Sequence, residues 1–172
     1  MKREHLQAYL IPLGIITTIL VLDVVSKHFI VQNYGFGDRS DFLNGFLRIA
    51  LVYNEGGVFG ILQGHKNLFL IVSIIVLALM IIYYFFEKNK TMLFSASMSL
   101  IVSGAIGNII DRLVPGRPGV VDFISVGVDG VYRWPSFNVA DSSIVVGAFL
   151  LIVVFYREEM KRKKQAETDK QD

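Results

Sequence analysis

The sequence predicts an α-helical membrane protein in which four transmembrane helices carry a small, outward-facing β platform. Its 172 residues are the length of one domain, and 53% of them are apolar whereas only 19% are charged. Soluble domains carry about 25% charged residues. Four long apolar runs lie within residues 9–27, 68–86, 92–110 and 139–156. Each approaches the ~20 residues that a helix needs to cross a bilayer, so we expect a single membrane domain.

Charge and composition exclude several other classes of protein. The formal net charge is only +2, so we expect no nucleic-acid partner. The chain contains no cysteine, which excludes disulfides, thiol nucleophiles, Fe–S clusters and cysteine-ligated zinc. The spacing of the three histidines matches no metal-binding motif. They are His5, His28 and His65. We therefore predict no metal and no cofactor.

The distribution of basic residues predicts the topology. Lys2 and Arg3 precede the first apolar run as in a signal peptide, but no small-x-small cleavage site follows and three more runs do. We interpret the first run as a retained helix. With four spans both termini share one side, and that side holds ten of the 17 Lys and Arg residues. The positive-inside rule then predicts cytoplasmic termini, a basic cytoplasmic tail at 157–172, and outward loops at about 28–67 and 111–138.

Two stretches in the outward loops indicate β structure. Residues 46–53 are rich in β-branched and aromatic side chains, which are typical of a strand. Residues 121–126 and 131–134 flank an Asp129-Gly130 step. Such a step between apolar runs predicts a hairpin with a two-residue turn.

Polar residues gather at the outward ends of the predicted spans, where a membrane makes unpaired polar groups costly. Asp23 and Lys27 lie one helical turn apart in the favourable acid-before-base order, and a structural ion pair is the preferred interpretation. Segment 54–60, Asn-Glu-Gly-Gly-Val-Phe-Gly, follows the predicted strand. Its glycines indicate a tight turn or a close approach of backbone to a bound molecule, and both interpretations remain open.

The third apolar run carries a polar face. Gly104, Asn108 and the Asp111–Arg112 pair recur at helical spacing. The glycine permits close helix packing, and the Asn108 amide can hydrogen-bond to a peptide backbone. A purely structural packing role explains the same residues, so the pattern leaves both roles open.

Asp122 and Asp141 form the cluster most suggestive of chemistry. The two-residue turn would place Asp122 opposite Phe137, close to the start of the fourth helix. With Asn138 as its N-cap, Asp141 would be the N3 residue of a capping box. Two close carboxylates in a poorly hydrated place share one proton, so one can deprotonate water while the other protonates a carbonyl oxygen. The alternative is that Asp141 only caps the helix and Asp122 is a solvated strand residue.

Taken together, these motifs resemble bacterial lipoprotein signal peptidase, also called signal peptidase II, over roughly residues 10–156. Five motifs in the same order carry the resemblance, and they are specific only in combination. They are Asp23-x-x-x-Lys27, Asn54-x-Gly56-x-x-Phe59-Gly60, Gly107-Asn108-x-x-Asp111-Arg112, Val121-Asp122-Phe123 and Phe137-Asn138-x-Ala140-Asp141.

The resemblance implies an intramembrane aspartic endopeptidase. It would remove the signal peptide from diacylglyceryl-modified prolipoproteins, cutting before the lipidated cysteine with water activated by the catalytic residues Asp122 and Asp141. The implied substrate-binding residues are Asn54, Asn108, Arg112 and Asn138. The implied supporting residues are Asp23, Lys27, Gly56, Asp111 and Ala140. The resemblance also implies a place in the bacterial cytoplasmic (inner) membrane, an active site toward the periplasmic face, contact with membrane lipids, and inhibition by globomycin-type cyclic peptides. We expect a monomer.

Two features depart from the family pattern. Ser125 stands where many members carry an acidic residue. Segment 115–119, Pro-Gly-Arg-Pro-Gly, resembles an extended loop before the strand of Asp122. Both bear on loop shape and on the preferred cleavage sequence, and neither changes the two aspartates.

Two other functions are compatible with part of the pattern. A small transporter or channel subunit would use Asp23, Lys27, Asp111 and Arg112 as a polar path. Such a path predicts charges near the middle of the bilayer, whereas these residues fall at one end of their spans. A structural scaffold explains the glycines and ion pairs, but not two aspartates that converge beside amide side chains.

Overall fold

The computed structural model describes residues 2–57 and 63–169, with side chains described from residue 10 onward. The chain forms four helices and four strands in the order α1-β1-β2-α2-α3-β3-β4-α4. The helices are α1 Lys2–Asn33, α2 Lys66–Phe86, α3 Met92–Leu113 and α4 Val139–Thr168. The strands are β1 Arg39–Phe42, β2 Leu47–Asn54, β3 Val120–Val128 and β4 Tyr132–Arg133.

The predicted fold class, a four-helix membrane protein with a small β platform, is confirmed. Within the described residues, four helices are long and apolar enough to cross a bilayer. The apolar window of α3 is 56% buried in the protein, whereas that of α2 has no buried residue. Helix α3 therefore forms the centre of the bundle. The apolar side chains of α2 are not buried by protein and are available to contact lipid.

The centre of α3 is built from small residues. The hydroxyl groups of Ser97, Ser99 and Ser103 donate to carbonyl oxygens of the preceding turn, at 2.7, 2.8 and 3.0 Å. The hydroxyls are thereby paired without water, as an apolar setting requires. Nearer the outward end, a Cβ at Gly104 would overlap the carbonyl oxygen of Ala140 and lie 2.5 Å from Ser143 Oγ. Glycine is therefore needed where α3 and α4 meet.

Two helices continue beyond their apolar runs. Helix α1 extends to Asn33, and α4 extends to Thr168 through most of the segment that the sequence assigned to a basic tail. Residues 157–168 consist mainly of Arg, Glu, Lys, Gln and Ala, which favour helix in water. The end of the apolar run therefore does not end the helix.

The β platform is one antiparallel sheet in the order β1-β2-β3-β4. Strand β2 covers the predicted strand with a shift of one residue at each end, whereas β1 has no counterpart in the sequence analysis. Val121 and Phe123 pack against Ile30 at the end of α1. Because alternate residues of a strand face opposite sides, this packing turns Asp122 to the other face of the sheet.

The predicted hairpin register is wrong. Phe137 pairs with Ile124, not with Asp122, and Asp122 instead lies opposite Val52 on β2. The loop has three residues, 129–131, because Val128 pairs with Tyr132, and Gly130 adopts a positive φ of 79° in it. The segment between β4 and Phe137 is one residue longer than regular pairing with β3 requires. The register between β3 and Phe137 therefore shifts by one more residue.

We expect Gly104→Ala to destabilise the protein by about 1–3 kcal/mol, because the added methyl group overfills the α3–α4 contact. Gly14→Ala is the matched control, since a Cβ there meets nothing within 4 Å. Alanine favours helix over glycine by up to about 1 kcal/mol, so the control should be unchanged or slightly more stable. Thermal unfolding of both variants in detergent measures the difference. Equal midpoints would contradict the proposed close packing.

Candidate active site

The side chain of Asn138 connects the two aspartates. Its amide oxygen accepts from the backbone N–H of Asp141 at 2.8 Å, and its own backbone N–H donates to the Asp141 carboxylate at 3.2 Å. These reciprocal bonds form the expected capping box at the start of α4. The Asn138 amide nitrogen donates to Asp122 at 2.7 Å. Both carboxylates therefore hydrogen-bond to one buried residue, and the corrected register still brings them together.

Asp122 lies on β3, at the face turned away from the apolar core of the sheet. It is only 2% exposed. Its second oxygen accepts from the amide nitrogen of Asn54 at 3.1 Å. Burial, and secondarily the negative charge of Asp141, raise the pKa of Asp122 from its ordinary 3.8 to about 7. This carboxyl group can therefore hold a proton near neutral pH.

Asp141 lies in the first turn of α4 and has a different environment. It is partly exposed, and its Oδ1 accepts from the amide nitrogen of Asn108 at 2.7 Å. The N-terminus of a helix favours negative charge. The two carboxyl groups therefore differ in their surroundings, since one is deeply buried and the other is partly exposed at a helix N-terminus.

A buried ionic cluster lies behind the aspartates. The ammonium group of Lys27 lies 2.7 Å from Asp23 and 2.8 Å from Asp111. It also donates to the amide oxygen of Asn108 at 3.1 Å. Because Lys27 occupies that oxygen, the amide nitrogen of Asn108 is directed to Asp141. The cluster thus fixes which end of the Asn108 amide faces the site.

Small residues allow this cluster to reach α4. The Asp23 carboxylate accepts from the backbone N–H of Ala140 at 2.9 Å. A Cβ at Gly107 would lie 2.5 Å from the Asp23 carboxylate and 3.3 Å from the Ala140 methyl. Glycine at 107 and alanine at 140 therefore leave the space in which α1, α3 and α4 meet.

Arg112 connects the end of α3 to the loop after β2. Its two terminal nitrogens donate to the carbonyl oxygens of Asn108 and Gly56, at 3.2 and 3.3 Å. Its Nε is buried and has no hydrogen-bond partner in the described part of the chain. In the same loop, the Asn54 side chain accepts from the N–H of Gly56 at 3.1 Å. The remainder of that motif, Phe59 and Gly60, lies outside the described residues.

The structure thus brings every described site residue predicted from the sequence into one connected cluster, and it adds one that the sequence analysis missed. Arg117, in the loop between α3 and β3, forms an ion pair with Oδ1 of Asp111. The only sequence signal for Arg117 was its position as a single cation between two Pro-Gly pairs. Ser125, where the sequence departs from the family pattern, is buried and donates to the carbonyl oxygen of Trp134 at 3.1 Å.

His28 and His65 are exposed, and the side chain of His5 lies outside those described. Among the side chains described, those of residues 10–57 and 63–169, no group of three His, Asp or Glu is arranged to hold a metal ion. The carboxylates of the site instead pair with Lys, Arg and amide donors.

Comparison with known proteins identifies the family. The profile of the family described as signal peptidase (SPase) II matches residues 15–157. A lipoprotein signal peptidase of Staphylococcus haemolyticus is 36% identical over 148 residues, which are 86% of this chain and 92% of that protein. One of Staphylococcus carnosus is 37% identical over 153 residues, covering 89% and 94% of the two chains.

Solved structures agree with the sequence comparison. A bacterial membrane enzyme structure obtained by the in meso method at 2.3 Å resolution superposes with a TM-score of 0.77 and 33% identity, covering 88% of this chain and 90% of that one. A second such structure, at 1.9 Å resolution, gives a TM-score of 0.73 with 32% identity, covering 86% and 93%. The family profile spans most of the chain, and the arrangement of its helices is shared with these enzymes. The chain therefore belongs to the signal peptidase II family.

Proposed function

We propose that this protein is an aspartic endopeptidase that removes the signal peptide from diacylglyceryl-modified prolipoproteins, cutting just before the lipidated cysteine. Family membership supports the removal of signal peptides from prolipoproteins. The observation that carries the aspartic mechanism is the pair of hydrogen bonds that one residue, Asn138, donates to the carboxylates of Asp122 and Asp141. Two carboxyl groups held in this way can exchange protons with a water molecule and a peptide bond between them.

The surroundings of the two aspartates support a division of roles. Asp141, at the helix N-terminus, is the ionised member and takes a proton from the attacking water. Asp122 carries the shared proton, consistent with its raised pKa, and gives it to the carbonyl oxygen of the scissile bond. Addition of hydroxide to the carbonyl carbon then yields a neutral gem-diol.

Collapse of the gem-diol returns the pair to its starting state. Asp141 gives its proton to the amide nitrogen as the carbon–nitrogen bond breaks, and Asp122 recovers a proton from a hydroxyl of the gem-diol. One proton remains shared between the carboxyl groups, and a new carboxyl and a new amine are the products. Two carboxyl groups supply every proton transfer, so the proposed reaction needs no metal or cofactor.

The hydrogen bonds of the site support a refined account of substrate binding. The amide nitrogen of Asn138 is shared among Asn108, Val121 and Asp122, so we assign this residue to positioning. Asn54 and Asn108 each use one of two amide hydrogens on an aspartate, which leaves the second for a substrate carbonyl. The Nε of Arg112, which has no partner among the described residues, is a further donor. Globomycin-type cyclic peptides would compete for the same donors.

Lipid and membrane complete the proposal. Diacylglyceryl chains would remain among the membrane lipids beside the helices and hold the scissile bond at the boundary where the aspartates lie. Lys and Arg are in excess at the N-terminal end of α1 and at the C-terminal end of α4. This distribution supports cytoplasmic termini. The aspartates would then face the periplasmic or outer side of the bacterial inner membrane.

Purified protein should cleave a diacylglyceryl-modified prolipoprotein immediately before the modified cysteine, as read by mass spectrometry. The unmodified prolipoprotein should be cut at least about tenfold more slowly, because it lacks the lipid that positions the bond. Asp122→Asn and Asp141→Asn should each lower the rate by about 10²–10⁴-fold, the range for a lost general acid or base. Both variants should still insert in the membrane.

Asp38→Asn is the matched control, since this exposed carboxylate lies in the loop before β1 and should not affect cleavage. Near-normal turnover by either variant of the pair would refute the aspartic mechanism. Loss of activity with a chelator and recovery with added zinc would do the same. Equal rates on modified and unmodified substrate would remove the lipid from recognition.

The pH dependence of cleavage follows from the raised pKa of Asp122. Below about 7 this group holds the proton that the scissile carbonyl must receive. As the pH rises through about 7, Asp122 loses this proton and can no longer donate it. The cleavage rate should therefore fall on the alkaline side, approaching tenfold per pH unit for a single ionisation. Rates between pH 5 and 9 measure this, and a rate that rises through pH 7 to pH 9 would contradict the assignment.

The proposed orientation has a direct test. A reporter enzyme fused after Lys164 should report a cytoplasmic location, and one inserted at Gly37 should report a location on the outer side. Gly37 suits the insertion because it is exposed and a Cβ there meets nothing within 4 Å. The reverse pattern would place the aspartates on the cytoplasmic face and refute the charge argument.

A further inference from the structure

The loop between α3 and β3 contributes a cation to the buried ionic cluster. Arg117 lies in the segment Pro-Gly-Arg-Pro-Gly, and its guanidinium pairs with Oδ1 of Asp111. The Arg117 side chain is 20% exposed and that of Asp111 is 3% exposed. The guanidinium thus closes the cluster on the side toward the solvent.

The backbone of this loop is fixed at both ends. The carbonyl oxygen of Arg117 accepts from the Lys66 ammonium group, at the start of α2, at 2.6 Å. A Cβ at Gly119 would overlap the carbonyl group of Asn54 and lie 2.8 Å from the backbone nitrogen of Glu55. The loop therefore packs against the end of β2, and Arg117 projects from a defined position.

Asp111 connects Arg117 indirectly to both aspartates of the site. One path runs from Asp111 Oδ2 to Lys27 at 2.8 Å and then through Asn108 to Asp141. The other path is shorter. The same oxygen accepts from the backbone N–H of Val121 at 3.2 Å, one residue before Asp122. A rotation of the Asp111 carboxylate would disturb both paths.

Charge balance explains why the second cation matters. The carboxylates of Asp23 and Asp111 share the single ammonium group of Lys27. Both are almost fully buried, and a buried carboxylate left without a partner is strongly unfavourable. Arg117 supplies Asp111 with a second cation, on the oxygen that Lys27 does not contact. Without Arg117, Oδ1 of Asp111 loses its ion-pair partner in a buried setting.

We propose that Arg117 is a positioning residue of the peptidase, acting through Asp111 on the orientation of Asp122 and Asp141. This inference rests on the proposed function. It assigns a role to a residue of the extended loop that lies outside the five family motifs. Arg117 holds the cluster on its solvent side, as Lys27 holds it from within.

The test compares kcat and KM of Arg117→Gln with those of the wild type on a diacylglyceryl-modified prolipoprotein. We expect kcat to fall about tenfold, as for a small displacement of reacting groups, with KM within about twofold because Arg117 does not touch the substrate. Arg117→Lys keeps the charge but loses the planar guanidinium, so its kcat should lie between those of Arg117→Gln and the wild type. Arg48→Gln is the matched control. Arg48 is 16% exposed and pairs with Asp41 and Asp129 on the sheet, so its kcat should be unchanged.

The possible outcomes are distinguishable. If the wild type does not cleave the substrate, the proposed function fails. If the wild type cleaves and Arg117→Gln matches it, the positioning role fails. A raised KM with unchanged kcat would make Arg117 a substrate contact, and equal losses in Arg48→Gln would indicate general destabilisation; either result overturns the inference. If Arg117→Gln does not accumulate in membranes, Arg117→Lys decides, because an intermediate kcat is expected and the wild-type value would refute the role.

Discussion

The rest of the site depends on the interactions of one buried cation, the ammonium group of Lys27. It contacts Asp23 from α1, and Asp111 and Asn108 from α3. Asp23 in turn holds the first turn of α4 through the backbone of Ala140. Near a membrane, charges that lack partners are costly, so the three helices are bound to one arrangement. The proposed catalytic aspartates inherit their positions from that arrangement.

The same constraint accounts for the unusual number of amides around the aspartates. The buried carboxyl group of Asp122 and the partly exposed one of Asp141 take donors supplied by the protein, and Asn54, Asn108 and Asn138 provide them. These donors are neutral, so they orient the carboxyl groups without adding positive charge. A cation in direct contact with Asp122 would favour its ionised form. Lys27 instead contacts Asn108, and Arg117 contacts Asp111. Each cation is thus one residue removed from the two aspartates.

Much of this fold could be predicted from the sequence because membrane helices and strand patterns are local properties. The four apolar runs gave the helices, and the capping box was visible in the spacing of Asn138 and Asp141. The register of the hairpin was not predictable. It depends on a three-residue loop and on one extra residue before Phe137, neither of which the Asp129-Gly130 step specifies. Arg117 was missed for another reason, since its role requires a tertiary contact that neither periodicity nor spacing reveals.

The capping box of α4 has a consequence for the biosynthesis of the protein. Asn138 and Asp141 begin α4, which follows the strand of Asp122 along the chain, and the bonds that start this helix are those that orient the Asp141 carboxylate. Until the fourth helix forms, a nascent chain holds Asp122 without its partner. In the proposed mechanism, the proteolytic centre is therefore incomplete until α4 has formed.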